Sequence, residues 1–316
     1  MCSSDLLKEL LDQYPDLQSA SGTMPGTYSI KIDPTATPVV HGPRRQPAAL
    51  LPKIISKLKE MEKEGHLAKV SQPTDWVNSM VVSSRGEKIR IYLDPGDLNK
   101  AVKREHYPIP TVEEIAAKIP EAKVFTVLDA KSGYLQLKLD YESSLLTTMN
   151  TPIGRYRWLK LPFGIKSAPE LYQRAMDEML EGIDHAYAIM DDILIAGRDT
   201  AHHDSILEAV LFRARTYNLK LNFEKVRVRK QQVEHVGHII SAQGLKPDPE
   251  KVRAMKDMPP PETKEDVRRF LGSIQYLAKF LPMLAEVETP LRELTRKDVL
   301  FHWDKPQAAA FQKLKV

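Results

Sequence analysis

Residues 186–197 read AYAIMDDILIAG, so that two adjacent aspartates stand between two short apolar runs. Runs this short, rich in β-branched and aromatic residues, are typical of buried strands, and a polar pair between two of them indicates a tight hairpin. A third aspartate, Asp129, ends another apolar run at 125–128. An isolated Asp-Asp pair is usually turn chemistry, so Asp191 and Asp192 are informative only together with other features of the chain.

These three carboxylates share a predicted position at the ends of strands. Carboxylate oxygens are hard ligands of the kind that Mg²⁺ prefers. Two such ions can stabilise both the entering and the leaving oxygen of an in-line attack on phosphate. If Asp129, Asp191 and Asp192 converge, the pattern therefore predicts a two-metal site for phosphoryl transfer.

Length and composition bound the class of protein. At 316 residues and 42% hydrophobic content, the chain can build two or three subdomains around a core. Its one cysteine, Cys2, excludes a disulfide framework and cysteine-ligated zinc, and fits a reducing compartment. No apolar stretch is long enough for a membrane helix, and the N-terminus lacks a signal pattern. We expect an intracellular protein without a membrane segment, cytoplasmic and with entry into the nucleus left open.

The formal net charge of +4 hides a local cluster of basic residues. Between residues 213 and 230 there are seven lysines and arginines against one acid, Glu224. Such a stretch suits a phosphate backbone, but an ordinary solvated face has the same composition. Charge alone does not decide between them.

The periodicity predicts an α+β body that carries a helical appendage. Helices are predicted over 47–64, 167–180, 200–217, 250–255, 264–280 and 289–295. Strands are predicted over 77–82, 88–93, 124–128, 186–190, 193–196 and 236–240, and residues 134–139 are expected to be extended. Ser167 to Glu170 has the order of a capping box at the start of a helix.

Other polar residues have ordinary structural interpretations. They are Asp140, His202, His203, Asp204, His235 and His238. We expect the first to end a strand and the next three to be solvated in the first turn of a helix. For the last two histidines, backbone hydrogen bonding or phosphate contact is favoured over zinc.

Four blocks occur in a fixed order along the chain: RIYLDPGDLNK at 90–100, FTVLDAKSGY at 125–134, LPFGIKSAP at 161–169 and MDDIL at 190–194. In that order they resemble the reverse transcriptase domain of LTR retrotransposons, with the Ty3/Gypsy-like branch the nearest match. LKLNFEK at 219–225, VGH at 236–238 and RFLG at 269–272 continue the resemblance. It covers about residues 25–316.

The resemblance implies an α+β fold of the right-hand polymerase type, with fingers, palm, thumb and the beginning of a connection segment. The implied boundaries are an N-terminal extended segment at 1–45 that wraps over the next domain, fingers at 46–122, palm at 123–240 with a second fingers insertion at about 141–162, thumb at 241–285, and the start of the connection at 286–316.

The family's catalytic triad falls on the three aspartates already selected from their chemistry. The resemblance implies that Asp129, Asp191 and Asp192 hold two Mg²⁺ ions, with Mn²⁺ as a substitute. The backbone carbonyl of Ala130 would be a further ligand. Lys225 matches a lysine that protonates the departing pyrophosphate, with Lys220 as second choice.

The resemblance also implies a binding site for deoxynucleoside triphosphates, formed by Lys88, Arg90, Ser132, Gly133, Tyr134 and Phe163. Arg90 matches an arginine that grips the triphosphate, and a guanidinium fork suits phosphate well. Lys88, or Arg85 as the less favoured alternative, would supply a second cation. Tyr134 matches the aromatic residue that rejects a 2′ hydroxyl.

Contacts with the primer and template are implied for Val236, Gly237, Gly272 and Tyr276. The first two match the turn called the primer grip, and the last two match a helix that follows the minor groove. Two positions depart from the family pattern, Ile189 where tyrosine is usual and Gly96 where arginine is common. Neither departure removes a catalytic group.

The predicted function is an RNA-directed DNA polymerase that uses deoxynucleotides and an RNA or DNA template-primer. We expect the chain to be one segment of a larger polyprotein with RNase H and integrase domains elsewhere, and its oligomeric state is left open. One alternative is a catalytically silent fragment that binds nucleic acid. Another is a ribonuclease H label inherited from the parent polyprotein, although too few residues follow Trp303 to hold that site.

Overall fold

A computed structural model describes residues 9–10, 12–19, 22–86, 88–281 and 283–315. The chain divides into two compact units, Met1–Val233 and Glu234–Val316. Each unit has its own hydrophobic core. In the described part of the chain, every helix is too short or too polar to cross a lipid bilayer.

The first unit mixes strands and helices, as predicted. Its strands are β1 (Leu67–Lys69), β2 (Ser79–Arg85), β3 (Lys88–Asp94), β4 (Val124–Asp129), β5 (Met149–Thr151), β6 (Gly154–Trp158), β7 (Ala186–Ile189), β8 (Asp192–Gly197) and β9 (Arg227–Lys230). Its α-helices are α1 (Leu51–Lys63), α2 (Leu98–Ala101), α3 (Val112–Lys118), α4 (Tyr141–Leu146), α5 (Ala168–Leu180) and α6 (Thr200–Thr216).

A four-stranded antiparallel sheet in the order β7-β8-β4-β9 forms the middle of this unit. Two smaller sheets, β1-β6-β5 and the hairpin β2-β3, accompany it. Helix α6 contacts β4 and β8, and α5 contacts β7. The apolar face predicted for α6 is buried at each of its positions, namely Ile206, Leu207, Val210, Leu211 and Ala214. Burial of these side chains, each worth about 1.5–3 kcal/mol for a large aliphatic residue, fixes the helix on the sheet that carries the aspartates.

Within the N-terminal segment, the 3₁₀ turn Pro15–Gln18 lies on α6. Leu17 is fully buried, and its carbonyl accepts a hydrogen bond from the amide of Leu221 at 2.8 Å. The guanidinium of Arg215 donates to both carboxylate oxygens of Asp16, at 2.7 and 3.0 Å. Since Leu221 also bridges to Ala130 beside Asp129, the N-terminal segment supports the strand end that carries a predicted catalytic residue.

Two predictions about the helices and strands of the first unit are wrong. Residues 134–139 do not all continue as a strand, because Gly133–Gln136 forms a 3₁₀ turn. The capping box at Ser167 does not form either: its hydroxyl is buried without a hydrogen-bond partner, and the Glu170 carboxylate instead accepts from the amide of Glu105 at 2.7 Å. Helix α5 nevertheless begins where the proline in its first turn predicts.

The second unit consists of strands β10 (Gln232–His235), β11 (His238–Ser241) and β12 (Gly244–Pro247), with the unit boundary falling inside β10, and helices α7 (Pro249–Lys256), α8 (Lys264–Leu277), α9 (Leu284–Leu294) and α10 (Lys305–Leu314). Its core contains Val267, Phe270, Leu291, Leu294 and Phe311. Helices on both sides of the boundary predicted at residue 285 thus share one core.

Candidate active site

Asp191 and Asp192 lie at the hairpin that the sequence predicts. Strands β7 and β8 are antiparallel, and Ile189 pairs with Asp192, so Met190 and Asp191 form a two-residue loop. Met190 has a φ of +55°, which matches the positive φ that such short hairpin loops require. The loop places Asp191 and Asp192 at one end of β8, a central strand of the sheet.

Asp129 reaches the same place from the neighbouring strand. It is the last residue of β4 and pairs directly with Asp192 of β8, and directly opposed residues of antiparallel strands have Cα atoms about 4.5–5.5 Å apart. The amide of Ala130 donates to the carbonyl of Asp191 at 2.7 Å. The structure therefore brings together the three aspartates that the sequence separates by about sixty residues.

The position of the hairpin depends on a residue that the sequence analysis missed. Gln173 of α5 is fully buried. Its amide nitrogen donates to the carbonyl of Ala188 at 2.7 Å, and its amide oxygen accepts from the backbone of Met190 at 3.3 Å. A polar residue on the apolar face of α5 was the available signal.

The pKa of the Asp191 carboxyl group is shifted by burial and by the charges of its neighbours. Burial, followed by the charges of Asp129 and Asp192, raises the pKa of Asp191 to about 6, and Lys225 opposes the shift. Asp191 Oδ1 is buried and has no hydrogen-bond partner. A buried, unpaired carboxylate oxygen is costly and usually has a functional explanation.

Lys225 already contacts one of the three carboxylates. Its Nζ lies 3.0 Å from Oδ2 and 3.3 Å from Oδ1 of Asp129, while 64% of the Lys225 side chain is exposed. In the described residues, no group of three or more His, Cys, Asp or Glu side chains is arranged to hold one metal ion. The metal-binding roles of the aspartates and of Ala130 stay predictions. Lys220, the second choice, points elsewhere, since its Nζ donates to the carbonyl of Asp16 at 2.8 Å.

Aromatic rings and a glycine line one side of Asp191. Tyr134 has its ring centroid 5.0 Å from that of Phe163 and 5.3 Å from that of Tyr172. A β-carbon at Gly133 would overlap Asp191 Oδ1 and lie 2.6 Å from the Tyr172 hydroxyl. Tyr172 was not selected as a site residue from the sequence. It is fully buried and packs against Tyr134 and Gly133.

A cleft of about 1090 Å³ opens beside these residues. Of the predicted nucleotide-binding residues, Arg90, Ser132 and Phe163 line it together with Asp129 and Asp191. Arg90 is exposed on β3. The side chain of Lys88 lies outside the described part of the structure.

On α6, His203 is not solvated as predicted, and Asp204 is half-buried and paired. His203 is fully buried, with its Nε2 2.7 Å from the hydroxyl of Thr126 and its Nδ1 3.0 Å from Asp204. Arg229 pairs with Asp204 through a guanidinium fork. These contacts join α6 to β4 and β9, so the group is structural. Asp140, predicted to end a strand, is the N-cap of α4 and accepts from the amide of Ser143 at 2.7 Å.

The predicted primer-binding residues lie in the second unit. Val236 and Gly237 form the loop between β10 and β11, and the hydroxyl of Tyr276 donates to the carbonyl of Gly237. Gly272 is exposed on α8, and a β-carbon added there would meet no atom outside the helix backbone within 4 Å. His238 Nδ1 lies 3.0 Å from the carbonyl of Val236, which agrees with the backbone role predicted for that histidine.

Comparison with known proteins identifies the family. The family model described as reverse transcriptase (RNA-dependent DNA polymerase) matches residues 82–240. The Retrovirus-related Pol polyprotein from transposon opus of Drosophila melanogaster is 32% identical over 306 residues, which are 93% of this chain and 30% of that polyprotein. The corresponding polyprotein from transposon 297 is 30% identical over 98% of this chain, and the Tf2-3 transposon polyprotein of Schizosaccharomyces pombe is 32% identical over 75%.

Solved structures show the same fold at lower identity. Foamy viral protease-reverse transcriptase in complex with an RNA/DNA hybrid superimposes with a TM-score of 0.86 at 19% identity, over 99% of this chain and 43% of that one. Its complex with double-stranded DNA gives a TM-score of 0.86 at 20% identity. The right-hand polymerase fold expected from the sequence is confirmed.

The chain spans about 30% of the length of the two Drosophila polyproteins. The resemblance to retrotransposon Pol proteins inferred from the sequence blocks is also confirmed. On the match over residues 82–240, half of its length, this chain belongs to the reverse transcriptase family.

Proposed function

We propose that this chain is an active RNA-directed DNA polymerase that adds deoxynucleotides to the 3′ hydroxyl of a primer. One observation carries the proposal: Asp129, Asp191 and Asp192 meet at one end of the two central strands, β4 and β8, beside an open cleft. RNA and DNA are the proposed template and primer, in keeping with the nucleic acids bound in the foamy viral complexes.

The carboxylates suit divalent cations, which reverse transcriptases generally use. Asp191 Oδ1 is buried without a partner, and burial, followed by the neighbouring negative charges, raises the pKa of this carboxyl group. A nearby cation relieves both costs. We propose that the three aspartates and the Ala130 carbonyl hold two Mg²⁺ ions, or Mn²⁺ in their place. When bound, such ions supply positive charge at the attacking hydroxyl and at the triphosphate.

The chain's own residues would bind the nucleotide and select it. Arg90 on β3 presents an exposed guanidinium to the cleft and would grip the triphosphate, with Lys88 as its proposed partner. Ser132, Gly133 and Phe163 would line the nucleotide pocket with Tyr134 packed against Phe163. The ring of Tyr134 would leave no room for a 2′ hydroxyl.

Proton transfer to the leaving group would fall to Lys225. Its ammonium lies beside the carboxylates and is largely exposed, so it can move toward a departing pyrophosphate. The loop at Val236 and Gly237, with Gly272 and Tyr276 on α8, would contact the primer-template. We further propose fingers at 46–122, palm at 123–240, thumb at 241–285 and the start of a connection from 286, within a larger polyprotein.

Primer extension with Mg²⁺ on matched RNA and DNA templates tests the proposal. We expect the wild-type chain to extend the primer on both templates. Asp191→Asn should reduce the rate by at least about a thousandfold, because the amide keeps the shape of the side chain but lacks the negative charge proposed to hold a metal ion. Binding of primer-template without extension would favour the silent nucleic-acid-binding alternative. Extension that is unaffected by Asp191→Asn would reject the assigned site.

A further inference from the structure

Tyr276 makes contacts that a residue serving only to touch nucleic acid would not need. It lies on α8, and its hydroxyl donates to the carbonyl of Gly237. Gly237 is the second residue of the loop between β10 and β11. A side chain on a helix thus holds the backbone of a hairpin loop within the second unit.

The loop that Tyr276 holds is strained. Val236 has a φ of +47° and Gly237 a φ of +75°, the pair of positive values typical of a type I′ hairpin turn. Glycine adopts such a conformation freely, but a β-branched residue does so only rarely. Strain of this kind persists where neighbouring groups enforce it, and it concentrates at functional positions.

Two other side chains complete the arrangement around the tyrosine ring. Lys251 of α7 places its Nζ 4.3 Å from the centroid of the Tyr276 ring, and a β-carbon at Gly237 would collide with that ammonium. The ring of His238 lies 5.1 Å from the same ring, and its Nδ1 contacts the carbonyl of Val236. Tyr276, Gly237, Lys251 and His238 are called the loop anchor below.

The loop anchor leaves two groups available to a ligand. The side chain of Val236 is 43% exposed although it is apolar. Lys251 is exposed as well, and its ammonium lies beside Gly237, the next residue of the loop. An ammonium such as that of Lys251 can pair with a phosphate of a nucleic-acid strand, while the adjacent apolar side chain of Val236 can pack against the sugar.

We propose that Tyr276 is a positioning residue, whose hydroxyl and ring hold the Val236–Gly237 loop against α8 so that Val236 meets the primer strand in a fixed geometry. The inference rests on the proposed function, since it takes the loop as part of the primer-binding surface. It changes the role of Tyr276, for which the sequence and the proposed function gave contact with the primer-template, to support of the loop. The hydroxyl that would have reached the minor groove already binds the loop.

Tyr276→Phe tests the inference, because it removes the hydroxyl and keeps the ring. Hydrogen exchange of the loop amides is measured in the free protein, and the Kd of a fluorescent primer-template is measured by anisotropy without nucleotides. We expect faster exchange in the loop and a Kd raised about fivefold, the usual effect of losing one hydrogen bond. In extension assays the KM for primer-template should rise by a larger factor than kcat falls.

Ser273→Ala is the matched control on the same helix. The Ser273 hydroxyl donates to the carbonyl of Arg269 within α8 at 3.1 Å, so its loss should leave both measurements at the wild-type values. Lys251→Met is a second variant that removes the ammonium and keeps the stem. It should also speed exchange in the loop, by a smaller factor than Tyr276→Phe.

The outcomes separate the anchor from the polymerase function. Unchanged exchange in Tyr276→Phe would overturn the anchor itself. Faster exchange with an unchanged Kd, or a wild-type chain that does not bind primer-template, would overturn its role in positioning the primer. If the wild-type chain binds primer-template without extending it, the polymerase function fails, while exchange and Kd still decide the inference.

Discussion

The ammonium of Lys225 lies 3.0 Å from Asp129 Oδ2, so an internal cation already neutralises one of the three converging carboxylates. The same pair accounts for two otherwise separate observations. Lys225 opposes the rise in the pKa of Asp191, to which Asp129 contributes, and its ammonium occupies the oxygens that Asp129 would offer to a metal ion. Lys225 and a divalent cation therefore compete for Asp129.

From this competition we predict that Lys225→Met binds divalent cations more tightly than the wild-type chain. An ion pair as exposed as this one contributes about 0.2–1 kcal/mol, so Kd for Mn²⁺ should fall by a factor of about 1.5 to 5 in isothermal titration calorimetry. Lys100→Met is the control, since Lys100 is an exposed lysine that pairs with Asp97 and does not line the cleft. Equal affinity in both variants would show that Lys225 does not block the site.

The raised pKa of Asp191 predicts a dependence of stability on pH. Since the folded pKa is about 6 against an ordinary value of 3.8, the folded state holds the extra proton between these values. Stability must therefore fall as pH rises through that window. Asp191→Asn removes the free-energy cost of keeping this buried carboxylate ionised. We expect the variant to be more stable by about 1–2 kcal/mol at neutral pH, after allowance for solvent screening.

Asp140 provides a contrast of opposite sign. Burial alone would raise its pKa, but hydrogen bonds from Ser29 and Ser143 lower it overall. Its contribution is thus present above the ordinary pKa and is lost as pH falls. Asp140→Ala should destabilise the protein by about 1 kcal/mol at neutral pH, as expected for loss of an N-cap. Melting temperatures of both variants over a pH series check the two signs, and parallel curves for the variants would contradict the assignment.

Gly133 is expected to tolerate no side chain. A β-carbon there would overlap Asp191 Oδ1 and crowd the fully buried Tyr172. Gly133→Ala should cost about 1–3 kcal/mol of stability through overpacking and should reduce incorporation by displacing the carboxylate. Gly96→Ala is the control, because its β-carbon would meet only Asp94 at an ordinary 3.6 Å. Thermal unfolding measures the loss of stability, and single-nucleotide incorporation measures the loss of activity. Wild-type values for Gly133→Ala would show that Asp191 and Tyr172 move to accommodate the methyl group.

The catalytic hairpin was predictable from sequence because its signal is local. Short apolar runs separated by a polar pair specify the strands and the turn, and Asp129 follows a run of the same kind. Two helix starts carry equally local signals in the sequence. Thr111 and Glu114 form a true capping box at the start of α3, and Asp304 caps α10 in the same way.

Features that depend on tertiary packing were not predictable from one sequence. The capping box predicted at Ser167 does not form, because the Glu170 carboxylate accepts a hydrogen bond from the distant backbone amide of Glu105 instead. The alternation of apolar and polar residues after Gly133 predicts a strand, but the chain forms a 3₁₀ turn there. In that turn the Gln136 side-chain amide donates to the carbonyls of Lys131 and Lys220. Likewise, His203 resembles a solvated residue until the sheet covers it. Each of these three errors concerns a group with at least one hydrogen-bond partner far away in sequence.

Tyr134 should decide whether the chain distinguishes deoxynucleotides from ribonucleotides. Its ring is fixed between Phe163 and Tyr172. Burial, with a smaller effect of Asp191, raises the pKa of its hydroxyl to about 12, so the residue is neutral at working pH. A fixed, uncharged ring would exclude a 2′ hydroxyl by its shape rather than by its charge.

We therefore predict that Tyr134→Val lowers the ratio of kcat/KM for dGTP to that for GTP by about tenfold to a hundredfold, since a lost steric contact is worth a few kcal/mol at most. Tyr134→Phe is the matched control. It removes only the hydroxyl, which contacts the Met190 sulfur at 3.8 Å, and should keep the wild-type ratio. If both variants lost discrimination equally, the hydroxyl rather than the ring would be the selective group. If neither did, Tyr134 would not form the wall of the sugar pocket.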